Sequence, residues 1–366
     1  KEITDIAFYN TITKKYVNFS LDKDGLFNPK KTDTLIFLPF KTEEELLKTF
    51  IKWYAMQHFT ILTGWNVDGY DIPYLYRRLL MVLGEDANML SPIGIVKWDK
   101  RNERYRIAGV SVLDYQKLYR KFSRTPQPNY RLDTIGRFEV SLGKTEFDGS
   151  LADFRREDPE GFIEYNLNDV AIVVKLDEKL KYIGLVQQIC HIGHVAYEEF
   201  EKSSRFIEGT ILVYLHRKGL ISPNKPAGGR AEMDRRKKDG EKGFKGAFVK
   251  DPIVGLHEWV YSLDLQSLYP SVIMSLNISP ETKIGKITDW DSEKYAAGNL
   301  GYTDVVIQGD KTSLDDDGIR RLLDEFNLSI SSNGILYSMD KVGIIPEILD
   351  VWFAKRKEYQ ALKQKA

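Results

Sequence analysis

Tyr261-Ser262-Leu263-Asp264-Leu265-Gln266-Ser267-Leu268-Tyr269-Pro270-Ser271 is the stretch on which the reading of this sequence turns. A strand over Trp259–Leu265 would place Val260, Ser262 and Asp264 on one face and Trp259, Tyr261, Leu263 and Leu265 on the other. It would carry a carboxylate to its end, beside a helix expected through Tyr269–Leu276 in which Pro270 is pre-set for the first turn. Free amide groups around Ser267–Tyr269, together with the positive end of the helix dipole, suit a phosphate. An acid beside a phosphate cradle makes chemical sense where divalent cations sit between them. Mg²⁺ takes carboxylate and phosphate oxygens, and two metals about 3.5–4 Å apart clamp an in-line phosphoryl displacement. Spacing alone leaves the plainer reading open, an ordinary strand-end Asp264 beside a helix cap.

Working upstream, Thr63-Gly64-Trp65-Asn66-Val67-Asp68-Gly69-Tyr70-Asp71-Ile72-Pro73-Tyr74 reads as a strand end, a tight turn and a helix start. Taken alone, Asp71 is an N-cap candidate. Tyr165 and Asp169 stand i, i+4 on a long helix expected from Pro159 to about Leu185, with Asp158 as cap. They share its face with Phe162 and Val173. A carboxylate on a partly apolar stripe is costly unless it is paired or metal-bound, but solvated helix edges often carry such residues, and the pair alone leaves that plainer reading open.

Together these segments resemble family B DNA polymerases of the T-even bacteriophage type. Asp-x-x-Ser-Leu-Tyr-Pro-Ser resembles the first palm motif, and Asn277-Ile278-Ser279-Pro280-Glu281-Thr282 its continuation in the T-even phage enzymes. Asn-x-x-x-Tyr-Asp followed by Tyr-x-x-x-Asp resembles the second and third motifs of the 3′–5′ proofreading exonuclease. Gly246-Ala247-Phe248-Val249 is similar to the lead into the palm. Ser332-Asn333-Gly334 and Gly343-Ile344-Ile345-Pro346 are similar to the lead into the fingers helix.

The resemblance implies roles for particular residues. Asp264 would be a catalytic metal ligand and Leu265 a ligand through its carbonyl. Ser267, Leu268 and Tyr269 would hold the incoming triphosphate, with Tyr269 also a steric gate against a 2′-hydroxyl, the group that marks RNA. Arg356 would contact the triphosphate, although Gln360 stands where the family pattern has a lysine. Asp71 and Asp169 would be exonuclease metal ligands, and Tyr165 would orient the attacking water. Two Mg²⁺ per active site are implied.

The implied architecture is multi-domain α/β and α+β: a ribonuclease-H-like exonuclease domain over 1–181, a helical connection and linker over 182–240, the first part of a palm over 241–342 and the start of a fingers helix over 343–366. The implied function is DNA-directed DNA synthesis with proofreading in viral replication. Primer–template DNA and dNTPs are the expected partners, a phage sliding clamp would engage regions outside these residues, and the expected place is the cytoplasm of the infected host. A non-catalytic, DNA-binding half of a polymerase split over two chains is the alternative.

The first exonuclease motif is not found: the early strand Ile3–Tyr9 carries Asp5 but no Asp-x-Glu. With Lys1 first, and Lys355–Ala366 reading as an uncapped helix, both ends are expected to be cuts. This piece alone is then expected neither to degrade a single strand nor to extend a primer.

Bulk properties bound the rest. At 366 residues the chain exceeds one domain, and 42% apolar with 12% aromatic residues suffice for packed cores. Lys plus Arg and Asp plus Glu each number 53, so contact with DNA must come from local patches. The basic run Arg235-Arg236-Lys237-Lys238 and the hairpin tip Asp99-Lys100-Arg101-Asn102 are such patches, the tip expected near a primer–template junction. The single cysteine, Cys190, excludes an internal disulfide. No apolar run reaches the roughly 18 residues of a membrane span, and no membrane partner is expected. Further expected elements are strands Tyr16–Phe19, Phe59–Trp65, Ile93–Trp98, Glu103–Ile107 and Val110–Tyr115. Expected helices are Glu43–Met56, capped by Thr42, Ile72–Leu83 and Ser204–Lys218. Residues 299–317 read as an acidic loop region, and 222–246 as the boundary between domains.

Overall fold

A computed structural model describes residues 1–145, 147, 149–222 and 250–365. They form two compact units, Lys1–Thr210 and the residues from Ile211 onward. The basic run at 235–238, the boundary segment from Pro223 and the stretch Gly246–Val249 lie outside the described residues.

The first unit opens with β1 (Asp5–Asn10), β2 (Lys15–Leu21), β3 (Lys30–Lys31) and β4 (Leu35–Phe40), in the sheet order β1-β2-β4-β3. Its β1–β2 pairing is antiparallel and its β2–β4 pairing parallel. Helix α1 (Glu43–Gln57) starts where expected: the Thr42 side chain accepts the Glu45 amide, and three glutamates fill the first turn. Its Leu46, Leu47, Phe50, Ile51 and Tyr54 are buried. Phe50 meets Phe19 edge-on at 5.6 Å. Each large apolar side chain so buried is worth about 1.5–3 kcal/mol.

Next come β5 (Ile61–Gly64), α2 (Asp71–Leu83), the hairpin β6 (Val96–Asp99) and β7 (Arg104–Ile107), then β8 (Ser111–Asp114), parallel to β5. A second core gathers Leu113, Tyr115, Leu118, Tyr119, Ile135, Ile172, Leu176, Val186 and Cys190. It joins α3 (Tyr115–Phe122), α4 (Leu132–Val140), α6 (Pro159–Leu180) and α7 (Tyr182–Gly193), with α5 (Leu151–Glu157) before α6. The long helix expected to run to Leu185 is two. Lys181 takes φ 54 and closes α6, and α7 begins at Tyr182. Nothing in its sequence breaks the helical period at that point; the left-handed residue is a lysine. Helix α8 (Ser203–Arg217) follows, and Gly219 takes φ 71 just past its end.

In the second unit, α9 (Leu268–Ser275) precedes β9 (Lys283–Ile287), α10 (Ser292–Ala296), β10 (Thr303–Ile307), β11 (Asp310–Leu314), α11 (Asp316–Glu325), β12 (Leu328–Ile330), β13 (Ile335–Ser338) and α12 (Ile344–Lys365). The strands make an antiparallel sheet ordered β11-β10-β9-β13-β12. Ile319 of α11 packs on Ile287, Val305 and Leu336 beneath it. The acidic stretch 299–317, expected to be loop, thus holds a hairpin: Val305 and Ile307 face the core while Asp310 and Lys311 meet solvent.

A further expectation fails. Trp259–Leu265 is not a strand: it is irregular and exposed, with Trp259 at 95% and Leu263 at 87%. A strand is made by its ladder, and among the described residues none pairs with it.

Candidate functional site

The turn from β5 to α2 is held from beneath. Gly64 pairs with Asp114 across the parallel ladder. The Asp114 carboxylate accepts the Asn66 amide at 3.1 Å, the Asp68 amide at 3.4 Å and the Gln116 amide at 3.0 Å. Asn66 takes φ 60, and its side chain lies where a Cβ on Gly69 would stand, 2.6 Å from the Asn66 Oδ1. Buried Asp68 accepts from Lys117 Nζ at 2.8 Å and from Arg104 Nη1 at 3.4 Å, tying the turn to α3 and to the hairpin. Asp71 is the first residue of α2 rather than its cap, a place taken by Tyr70. Although Asp71 counts as exposed, protein crowds its carboxyl. That crowding, with the negative charges of Asp114 and Asp169, pushes its pKa up to about 6 against the pull of Lys144.

Asp169 and Tyr165 project from α6 towards the loop after α4. Lys144 in that loop donates to Asp169 Oδ2 at 2.5 Å and to the Tyr165 hydroxyl at 3.1 Å. The loop is fixed by the Lys144 amide on Asp133 Oδ1 at 2.7 Å and by Asn168 Nδ2 on the Gly143 carbonyl at 2.9 Å. Phe147 and Phe154 meet the Tyr165 ring edge-on. Burial raises the Asp169 pKa, and Lys144 opposes it. For Lys144 itself, burial works downward but the bonds to Asp169 and Tyr165 hold it above the usual lysine range. Asp169 is therefore paired. Lys144 was not singled out in the sequence; the cost of burying Asp169 was the signal for it.

The donor set can be weighed against a metal. Asp169 Oδ1 is buried without a hydrogen-bond partner, and so is Asn166 Oδ1. Asp71 supplies a second carboxylate close enough to feel the charge of the first. Two carboxylates suit one Mg²⁺, an ion that keeps several waters and takes further oxygens from phosphate. Among the described residues no group of three or more His, Cys, Asp and Glu is gathered, so a second ion finds too few ligands there.

The second unit holds the other expected residues. Ser267 adopts φ 55 at the start of α9. Arg356 of α12 reaches it, Nη1 to Oγ 3.1 Å, across 89 positions of sequence. Leu268 and Tyr269 open α9 with their side chains largely exposed, Tyr269 at 74%. Asp264 and Leu265 lie on the exposed stretch before it, and among the described residues Asp264 belongs to no group of three or more His, Cys, Asp and Glu. Ser267 and Arg356 thus meet, while Asp264 joins no such group among the described residues.

Comparison with known proteins follows the same division. The family model for the exonuclease domain of DNA polymerase family B matches residues 7–135, and that for DNA polymerase family B matches 199–366. The DNA-directed DNA polymerase of Escherichia phage RB69 is 32% identical over 335 residues, 90% of this chain and 34% of that protein. That of Enterobacteria phage T4 is 31% identical over 335 residues, again 90% and 34%. The DNA polymerase catalytic subunit of human herpesvirus 6A is 25% identical over 363 residues, 92% of this chain and 32% of the relative. The chain spans about a third of the length of these relatives.

Proposed function

The chain belongs to DNA polymerase family B, and we propose that it serves template-directed DNA synthesis with 3′–5′ proofreading in phage replication. The observation that carries the reading is the Arg356–Ser267 contact. It brings a guanidinium from one helix to the free amides at the start of another, a setting that suits a triphosphate. Tyr269, exposed as the second residue of α9, would meet the sugar, and Leu268 would contribute backbone. Asp264 and the Leu265 carbonyl would meet the metal that accompanies the nucleotide.

In the first unit, a ribonuclease-H-like exonuclease is the best reading of residues 1–181. Asp71 and Asp169 would hold a divalent ion, which when bound polarises a phosphate and acidifies a water. Tyr165, its hydroxyl fixed by Lys144, would orient that water, while Lys144 pulls the Asp169 pKa down against the rise that burial imposes. A pair of ions at either site needs more carboxylates than the described residues bring together. The chain by itself is therefore expected neither to extend a primer nor to degrade a single strand. Residues 182–240 as connection, 241–342 as palm and 343 onward as fingers, with primer–template DNA, dNTPs and a sliding clamp as partners in the host cytoplasm, complete the proposal. No helix among the described residues is long and apolar enough to cross a membrane.

Equilibrium binding of Mg²⁺–dNTP to the purified chain tests the reading. Arg356→Ala should weaken binding tenfold or more, and equal binding by both would defeat it. One observation favours a second reading, a polymerase split over two chains: Trp259–Leu265 lies exposed and, among the described residues, unpaired, as a strand awaiting a neighbour from another polypeptide would. Synthesis restored by co-expression with a second polypeptide supports that reading, and one continuous reading frame through both ends rules it out.

A further inference from the structure

Asn277-Ile278-Ser279-Pro280-Glu281-Thr282 follows α9 directly, and the function proposed above makes no use of it. Its side chains take up three consecutive backbone N–H groups at the start of α12. Asn277 Oδ1 accepts from Gly343 at 2.8 Å, Glu281 Oε1 from Ile344 at 2.6 Å and Ser279 Oγ from Ile345 at 3.4 Å. These are the donors that a helix start leaves without partners. A carboxylate there also meets the positive end of the helix dipole.

The motif is itself fixed. Asn277 Nδ2 donates to the Ser338 carbonyl at 2.6 Å and to that of Lys341 at 2.8 Å. Thr282 Oγ1 donates to the Asn277 carbonyl at 2.6 Å, and the Ser279 hydroxyl donates to Glu281 Oε2 at 2.7 Å. Asn277, Ser279 and Thr282 are all buried. Burial works against the Glu281 carboxylate, yet the Ile344 amide and Ser279 hold its pKa below the ordinary glutamate value.

The motif therefore joins the end of α9, whose first turn follows Ser267, to the start of α12, which carries Arg356. Arg356 stands 12 residues past Ile344, roughly 18 Å along the axis at 1.5 Å per residue. A tilt of about 10° at the cap would displace it by about 3 Å, enough to break its contact with Ser267. We propose that Asn277, Ser279 and Glu281 are positioning residues, which lock α12 to α9 and so set the reach of Arg356 over Ser267 for the triphosphate of an incoming nucleotide. This rests on reading Ser267 and Arg356 as triphosphate contacts.

Three measurements on the purified chain test it, in Glu281→Ala, Asn277→Ala and the conservative Glu281→Gln. Amide exchange of residues 343–347 reads the cap. Spin labels on cysteines replacing Ser275 of α9 and Gln360 of α12 read the distance between the helices without any nucleotide. Mg²⁺–dNTP binding, with Arg356→Ala as reference, reads the consequence. The two alanine variants should exchange at least tenfold faster over 343–347, broaden the label distance and lose nucleotide affinity at least fivefold. Glu281→Gln, which keeps an acceptor, should recover most of each. An unchanged label distance in both alanine variants overturns the proposal, as does a broadened distance with full nucleotide affinity. Equal nucleotide binding by the native chain and Arg356→Ala removes the triphosphate reading instead, and the label distance then still decides whether the motif sets the helix. Where Asn277→Ala fails to fold, the two Glu281 variants give the answer.

Discussion

Lys144 Nζ lies 2.5 Å from Asp169 Oδ2, closing one side of a carboxylate whose other oxygen is buried and unpartnered. The lysine fixes the rotamer of Asp169, and through the Tyr165 hydroxyl it ties two side chains of α6 to one loop. It leaves Oδ1 as the only free ligand atom on that residue, so a cation would enter from the side away from Lys144.

Lys144→Met should therefore raise the Asp169 pKa by one unit or more, since a neighbouring cation typically lowers a carboxylate by about 1–3 units. The check is a pH titration followed by NMR of the labelled Asp169 carboxyl carbon. An unmoved titration would show that the ammonium contributes no charge stabilisation there.

The Asp5–Arg155 pair gives a second outcome. The Asp5 side chain is 2% exposed, burial pushes its pKa up to about 6 against Arg155, and Oδ1 has no partner. Arg155→Met leaves a buried carboxylate with only the Ser20 and Thr4 hydroxyls beside it and no cation, and should cost on the order of 3 kcal/mol at pH 8. Below about pH 5 the carboxyl is neutral in the folded state and the cost should shrink by half or more. Urea unfolding of the first unit at the two pH values measures the difference.

Asp71 carries a pH dependence of the same sign. Its folded pKa, about 6, stands above the ordinary carboxylate value, so the folded state holds the proton more tightly than the unfolded chain. Stability from this group is present below about pH 4 and lost as pH rises through 6. Asp71→Asn should accordingly stabilise the first unit at pH 7, by about 1 kcal/mol after allowing for solvent screening, and change little at pH 4. Thermal unfolding at both pH values decides it, and destabilisation at pH 7 would contradict the assignment.

How far the sequence disclosed this depended on whether local signals decided the outcome. Thr42 before three glutamates and Asp158 before Pro159 both cap helices through their own side chains, so α1 and the start of α6 were legible. Trp259–Leu265 has a strand's alternation but no ladder, and alternation cannot say whether a neighbour is present. Lys181 turns left-handed with no glycine to announce it. Asp71, Tyr165 and Asp169 were visible as residues. Their common neighbour Lys144 was not, because it comes from a loop whose place is set by Asp133 and Asn168. The same holds for the cap on α12: its donors lie some 60 residues beyond its acceptors, and only the folded sheet brings them together.

Two glycines make the last prediction, with opposite signs. Gly184 lies inside α7, and a Cβ there meets nothing within 4 Å. Gly184→Ala should stabilise the first unit by about 0.5–1 kcal/mol, the entropy and propensity gain of alanine in a helix. Gly343 is the first donor into the cap of α12, and a Cβ there would stand 2.7 Å from Ser279 Cβ and 3.1 Å from Thr282 Cγ2. Both neighbours are buried and held by hydrogen bonds, so the chain must move instead. Gly343→Ala should cost about 1–3 kcal/mol, the usual range for overpacking a filled site. It should also speed amide exchange over 343–347, while Gly184→Ala leaves that segment untouched. Differential scanning calorimetry with exchange on both variants measures this, and a stabilising Gly343→Ala would mean that the motif yields where its packing says it is rigid.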